Sequence, residues 1–95
     1  MNGPTVTWLE PPSRVCALKN DRLLVVGDST KHVKQVVFTD GKHRIGVDKK
    51  GSGGLYSVAW KTSKLKKGTT HHLLATLTDT SGRTTAAGRV LKICK

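Results

Sequence analysis

The segment 54–83, GLYSVAWKTSKLKKGTTHHLLATLTDTSGR, carries the pattern that decides the fold. Tyr56, Val58 and Trp60 alternate with other residues, and His71, Leu73, Ala75 and Leu77 do the same after a lysine-rich turn. A period of two turns side chains of one parity into a core and the others toward water, the pattern of half-buried antiparallel strands and not of a helix. Residues 55–60 and 70–79 are therefore read as strands joined by a wide turn, 61–69, that holds Leu65. Residues 80–83 make the next turn, and 84–94 form the last strand.

Toward the N-terminus the same pattern continues. Residues 5–9 form a first strand that Glu10, Pro11, Pro12 and Ser13 end, because proline has no amide for a central ladder and fixes its own φ. A short piece follows at 14–18, then a turn at Asn20 and Asp21. The next strand is 22–27, where the unbroken run Leu23, Leu24, Val25, Val26 implies burial on more than one side. After a loop at 28–31, residues 33–39 alternate up to Asp40 and Gly41, a strong hairpin signal, with 44–48 returning. The glycine-rich stretch 49–54 reads as a flexible loop joining two halves of one domain. Short strands about ten residues apart, with no helical period, give an all-β fold: a two-sheet antiparallel sandwich of about seven strands.

The 95 residues suffice for one core and no more, with an apolar share of 36% and Trp8, Phe38, Tyr56 and Trp60 as the aromatics. Met1–Gly3 reads as an added start, which sets the domain at 4–95 and leaves an upstream segment or signal open. No run reaches the length of a membrane-spanning helix, and MNGPTVTW lacks the basic and apolar regions of a signal peptide. Seventeen Lys and Arg against six Asp and Glu give a net charge of +11. Ten of those cations and two acids lie between Lys31 and Lys67. Such a concentration is either a patch for polyanions, formed by Lys42, Arg44, Lys49, Lys50, Lys61, Lys64, Lys66 and Lys67, or a solvated surface that keeps a basic domain soluble.

The order of several short motifs resembles the bacterial immunoglobulin-like domains appended to secreted and surface proteins and to some enzymes. Pro4, Pro11 and Pro12 flank the first strand; Val36 and Phe38 lead to Asp40, Gly41, Ile45 and Gly46. Tyr56, Val58, Ala59, Trp60, Thr62, Leu65, Gly68, His71, Leu73, Ala75, Asp79, Ser81, Gly82 and Arg83 complete the match over most of the chain. Three features depart from that pattern: a hairpin one residue short at Phe38–Gly41, an extra residue near Thr69 and Thr70, and the basic excess with two cysteines. The resemblance implies an immunoglobulin-like sandwich without catalytic machinery, acting as a spacer, stabilising or protein-contact module of a larger secreted or cell-envelope protein. Its partners would be other domains of the parent chain or another protein, and the module itself would be a monomer with no cofactor.

In the topology so implied, the piece around Cys16 lies parallel to the last strand and ends beside Cys94. With Val15, Ala17, Leu91 and Ile93 turned inward, both cysteines turn outward, and a Cys16–Cys94 disulfide would tie the two ends of the chain together. The alternative is a pair of free thiols. His71 and His72 are adjacent on a strand, point to opposite faces and cannot share an ion, so His32, His43, His71 and His72 give no metal site. In the resemblance His71 is a packing and turn residue, and Asp79 opens a turn whose amides its carboxylate caps. Trp60 shares parity with the core, whereas Trp8 is open to two readings, core residue or sugar-stacking platform of a carbohydrate-binding accessory domain. No serine or cysteine is set beside a base, so no catalytic residues are named.

Overall fold

The structure is a computed structural model that describes residues 4–11, 16–17, 20–29, 32–51 and 53–94. Its strands are β1 (Thr5–Glu10), β2 (Asn20–Asp28), β3 (Val33–Asp40), β4 (His43–Asp48), β5 (Leu55–Lys61), β6 (Thr70–Asp79) and β7 (Thr84–Lys92), and the described residues contain no helix. They form two antiparallel sheets, β1-β2-β5 and β4-β3-β6-β7. The inward faces are the alternating residues of the sequence. Leu23, Val25, Tyr56 and Trp60 from the smaller sheet meet Val36, Phe38, Leu73, Ala75, Leu77 and Leu91 from the larger. Trp8 closes the β1 side, edge-on to Phe38 with ring centroids 5.8 Å apart, a favoured aromatic geometry. The chain folds as a two-sheet immunoglobulin-like sandwich.

Two expectations need correction and two are sharpened. The turn placed at Asn20 and Asp21 is strand: β2 starts there, pairing with Lys61 and Trp60 of β5. The Asp21 carboxylate accepts the Arg22 amide at 2.9 Å. The run Leu23–Val26 is buried on one side, not on both, for Leu23 and Val25 are sealed in the core while Val26 is 36% exposed. β2 is central, but the outer face of its three-stranded sheet meets water. The short hairpin is accommodated by a bulge: Phe38 pairs with Gly46 and Thr39 with Arg44, so Ile45 is the unpaired residue. The glycine-rich loop is also more specified than flexibility requires. A Cβ on Gly51 would collide with the Tyr56 ring, and Gly54, at φ +82°, presents its carbonyl to the Gly27 amide at 2.8 Å.

The two ends of the sandwich differ. Thr5 pairs with Asp28 at the pole that also holds the β6–β7 turn, whereas Lys92 pairs with Thr70 at the other pole. The first strand therefore enters at one end of a body 41 Å long and 21 Å wide, and the last strand leaves at the other. Cys16 bridges Lys92 in parallel, the Ala17 amide donates to the Lys92 carbonyl at 2.8 Å, and Cys16 and Cys94 form a disulfide with 5.5 Å between Cα atoms. The disulfide and the parallel placement of Cys16 beside the last strand are those expected from the sequence. What the bridge fastens to the C-terminal end is the segment after β1, at the pole away from Thr5. The rest of the predicted 14–18 piece, including Val15, as well as Met1–Gly3, Pro12 and Ser13, lies outside the described residues.

At the pole where β1 begins, Asp79 is fully buried. Its carboxylate accepts the Ser81 amide and hydroxyl, the Arg83 amide, the Arg83 Nε and the Ser29 hydroxyl, at 2.6 to 3.0 Å. Burial by itself pushes this carboxyl up. The hydrogen bonds from Ser81, Ser29 and the Arg83 and Ser81 amides outweigh it and hold the group well below the usual carboxylate range. A folded-state value depressed in this way adds stability above the unfolded value, about 3.9, and that stability drains as pH falls below it.

Two outcomes follow from these contacts. Asp79→Asn lowers the melting temperature by on the order of 10 °C at pH 7, and the gap from wild type narrows as pH drops below about 4, as read by thermal melts across pH. The disulfide closes a loop of 78 residues in sequence separation. Treating the unfolded chain as a random loop, its reduction costs about 4.5 kcal/mol, measured as a fall in urea midpoint with reductant or in the Cys16→Ala/Cys94→Ala variant.

Candidate functional site

The pole opposite Asp79 is built by the β3–β4 hairpin and by the 62–69 turn that carries β5 into β6. The turn is lysine-rich, yet its backbone is pinned. Thr62 is buried at 2% exposure and its carbonyl accepts the Leu65 amide at 2.9 Å. Leu65 packs half-buried against the core, and the Gly68 amide donates to the Ile93 carbonyl at 2.6 Å while Ile93 donates to Thr69 at 2.9 Å. With Thr62 and Leu65 anchoring inward, Lys61, Lys64, Lys66 and Lys67 are all left in solvent.

His71 ties the turn to the hairpin. Its Nδ1 lies 2.6 Å from Asp40 Oδ2, its Nε2 lies 2.8 Å from the Thr69 hydroxyl, and its ring meets Trp60 edge-on at 5.9 Å. The series of carboxylate, imidazole and hydroxyl has the outline of a catalytic relay. Its hydroxyl, however, donates to the Lys66 carbonyl at 2.6 Å. The hydroxyl thus bridges the Lys66 carbonyl and the His71 ring, the local bonding of a turn residue. The chain of contacts is a brace that fixes Asp40 at the hairpin against Thr69 at the turn.

Between β4 and β5, where the two sheets part, lies a cleft of about 350 Å³ lined by Asp40, His43, Ile45, Ala59, Trp60, Lys61 and Leu65. Its volume is at the lower end of small-molecule clefts. The eight cations named from the sequence are all exposed, and the ion pairs among the described residues, His71–Asp40 and Arg83–Asp79, use none of them. Lys61 lines the cleft, Lys64, Lys66 and Lys67 stand on the adjoining turn, and Lys42 sits at the hairpin tip. Arg44 pairs opposite Thr39, at the same pole. Lys49 and Lys50 do not belong to this group: they follow the far end of β4, about 17 Å along the strand, where the Lys50 amide donates to Asp48 at 2.9 Å. Of the acids at the cationic pole, Asp21 is buried and Asp40 is taken by His71, while Glu10 lies two strands from β5 across the smaller sheet.

The remaining candidates are dispersed. His32 is at the far pole, where its carbonyl accepts the Thr80 amide at 2.8 Å, and His72 is exposed while His71 is half-buried. Among the described residues no three His, Cys, Asp or Glu side chains converge on a common point. Of the two readings open for Trp8, the structure shows the core one. Trp8 is 7% exposed, its indole N–H donates to the Ala87 carbonyl at 2.8 Å, and the Arg89 guanidinium lies 5.7 Å from its ring centroid. The β4–β5 cleft and the Asp40–His71 contact were not visible in the sequence, because their partners are 31 residues apart in the chain and only the folded register joins them.

No protein-family model and no curated protein matches the sequence. Solved structures match the fold. The fibronectin(III)-like modules of Clostridium thermocellum CbhA are similar with a TM-score of 0.78 at 19% identity, over 99% of this chain and 48% of that chain. This chain thus spans about half the length of that protein. The superoxide reductase (neelaredoxin) from Ignicoccus hospitalis matches with a TM-score of 0.63 at 16% identity, covering 97% of this chain and 80% of that one. Murine CRIg matches at 0.52 and 12% identity, with 96% of each chain covered. Identities this low establish a shared immunoglobulin-like sandwich and leave function to the residues.

Proposed function

We propose that this chain is a non-catalytic immunoglobulin-like module, of the bacterial type, that serves as a spacer and contact domain within a larger extracytoplasmic protein, with residues 4–95 as its folding unit. The observation that carries this reading is the placement of the two ends. The chain enters β1 at one pole and leaves β7 at the other, 41 Å being the long axis. A domain so threaded adds its full length to a string of domains. The Cys16–Cys94 disulfide supports an oxidising compartment, where small domains gain most from such a link. No helix among the described residues is long and apolar enough to cross a membrane.

A head-to-tail tandem of two copies, examined by small-angle X-ray scattering, has a maximum dimension near twice the 41 Å axis. A tandem no longer than one module would mean side-by-side packing and would sink the spacer reading.

A further inference from the structure

We propose that the cleft between β4 and β5, with the exposed lysines of the turn beside it, is a binding site for an acidic polysaccharide. A carboxylated or sulfated sugar ring would sit at the cleft and its neighbours would run along the turn. Charge complementarity is the first argument. Lys61 lines the cleft, and Lys64, Lys66 and Lys67 extend the positive field along a turn whose backbone is pinned by Thr62, Leu65 and Gly68. The cations are therefore held on a fixed scaffold, which lowers the ordering cost of binding. Asp40 also lines the cleft and is engaged by the His71 ring at 2.6 Å, so an anion is expected toward Lys61 and the lysine turn.

Trp8, Phe38, Tyr56 and Trp60 are all 9% exposed or less, so neither single-stranded bases nor sugar faces have a stacking platform here and recognition is by charge. One further observation favours a glycan over nucleic acid. The cations of the turn are lysines, which meet carboxylates and sulfates as point charges and lack the planar fork suited to paired contacts with bases. The disulfide supports the extracytoplasmic location proposed above, where an acidic glycan is a polyanion the domain can meet. The choice of glycan thus rests on the extracytoplasmic reading, while the location of the site does not.

The test measures affinity of the full chain for heparin, polygalacturonate, neutral dextran and a DNA duplex, in wild type and in two double variants. Lys61→Ala/Lys64→Ala and Lys49→Ala/Lys50→Ala each lower the formal net charge from +11 to +9, so they differ in place and not in charge. All four positions are exposed, and unchanged melting temperatures certify the fold. The expected result is binding to at least one acidic glycan and none to dextran, with affinity falling about a hundredfold between 50 and 200 mM salt. Lys61→Ala/Lys64→Ala weakens that binding about tenfold and reduces the salt slope by about two, whereas Lys49→Ala/Lys50→Ala changes it less than twofold. Equal losses in the two variants would show diffuse attraction and overturn the site. No retention of either acidic glycan at 50 mM salt would do the same. Duplex binding at least as tight as glycan binding would overturn the ligand class, and with it the compartment argument, without touching the tandem geometry.

Discussion

The buried carboxylate of Asp79 is the constraint on which the rest of the sandwich is hung. A charge inside a protein persists only when its lone pairs are taken up, and here the donors come from the β6–β7 turn and from Ser29, the residue after β2. One side chain thereby fixes the exit of a strand in the smaller sheet against a turn in the larger. With that corner set, the inward parity of β6 places Leu77, Ala75, Leu73 and His71 in succession toward the opposite pole. β6 lies between β3 and β7, so its register fixes both neighbours.

Sequence alternation revealed the strands of this fold because each sheet buries one face and wets the other. It was ambiguous where two mechanisms give one pattern. Leu23–Val26 read as a strand buried on both faces, since apolar side chains on an outer face look the same as a second core contact. Val26 and its partner Leu55 are both exposed on that face. Asn20 and Asp21 read as a turn because both residues favour turns, but β5 supplies a ladder partner for each, and pairing overrides local preference. The lysine cluster was legible as composition and not as geometry. Eight cations nominated together are divided by the length of β4, which no count of charges could show.

The lateral edges of the larger sheet are treated differently. β7 is an edge strand of the larger sheet. It is covered by the parallel bridge at Cys16 near one end and by the Trp8 indole on the Ala87 carbonyl further along. Open carbonyls and amides on such a strand invite further strands, and these two contacts occupy part of that edge. On the other side β4 and β5 meet at one end, where Asp48 accepts the Ser57 amide at 2.9 Å and Gly46 lies against Val58, and the cleft opens toward the His43 end of β4.

The position of the disulfide also decides how the domain carries tension. Pulled between Pro4 and Cys94, the load runs through β1 to Cys16, crosses the sulfur bridge and leaves at Cys94. The 78 residues of separation spanned by that bridge lie outside the load path, withholding roughly 260 Å of slack that an unbridged chain would release. Only the short leading strand can be peeled. In the oxidised state the module is thus a tether of nearly fixed length, and a reducing environment turns the same sequence into an extensible spring.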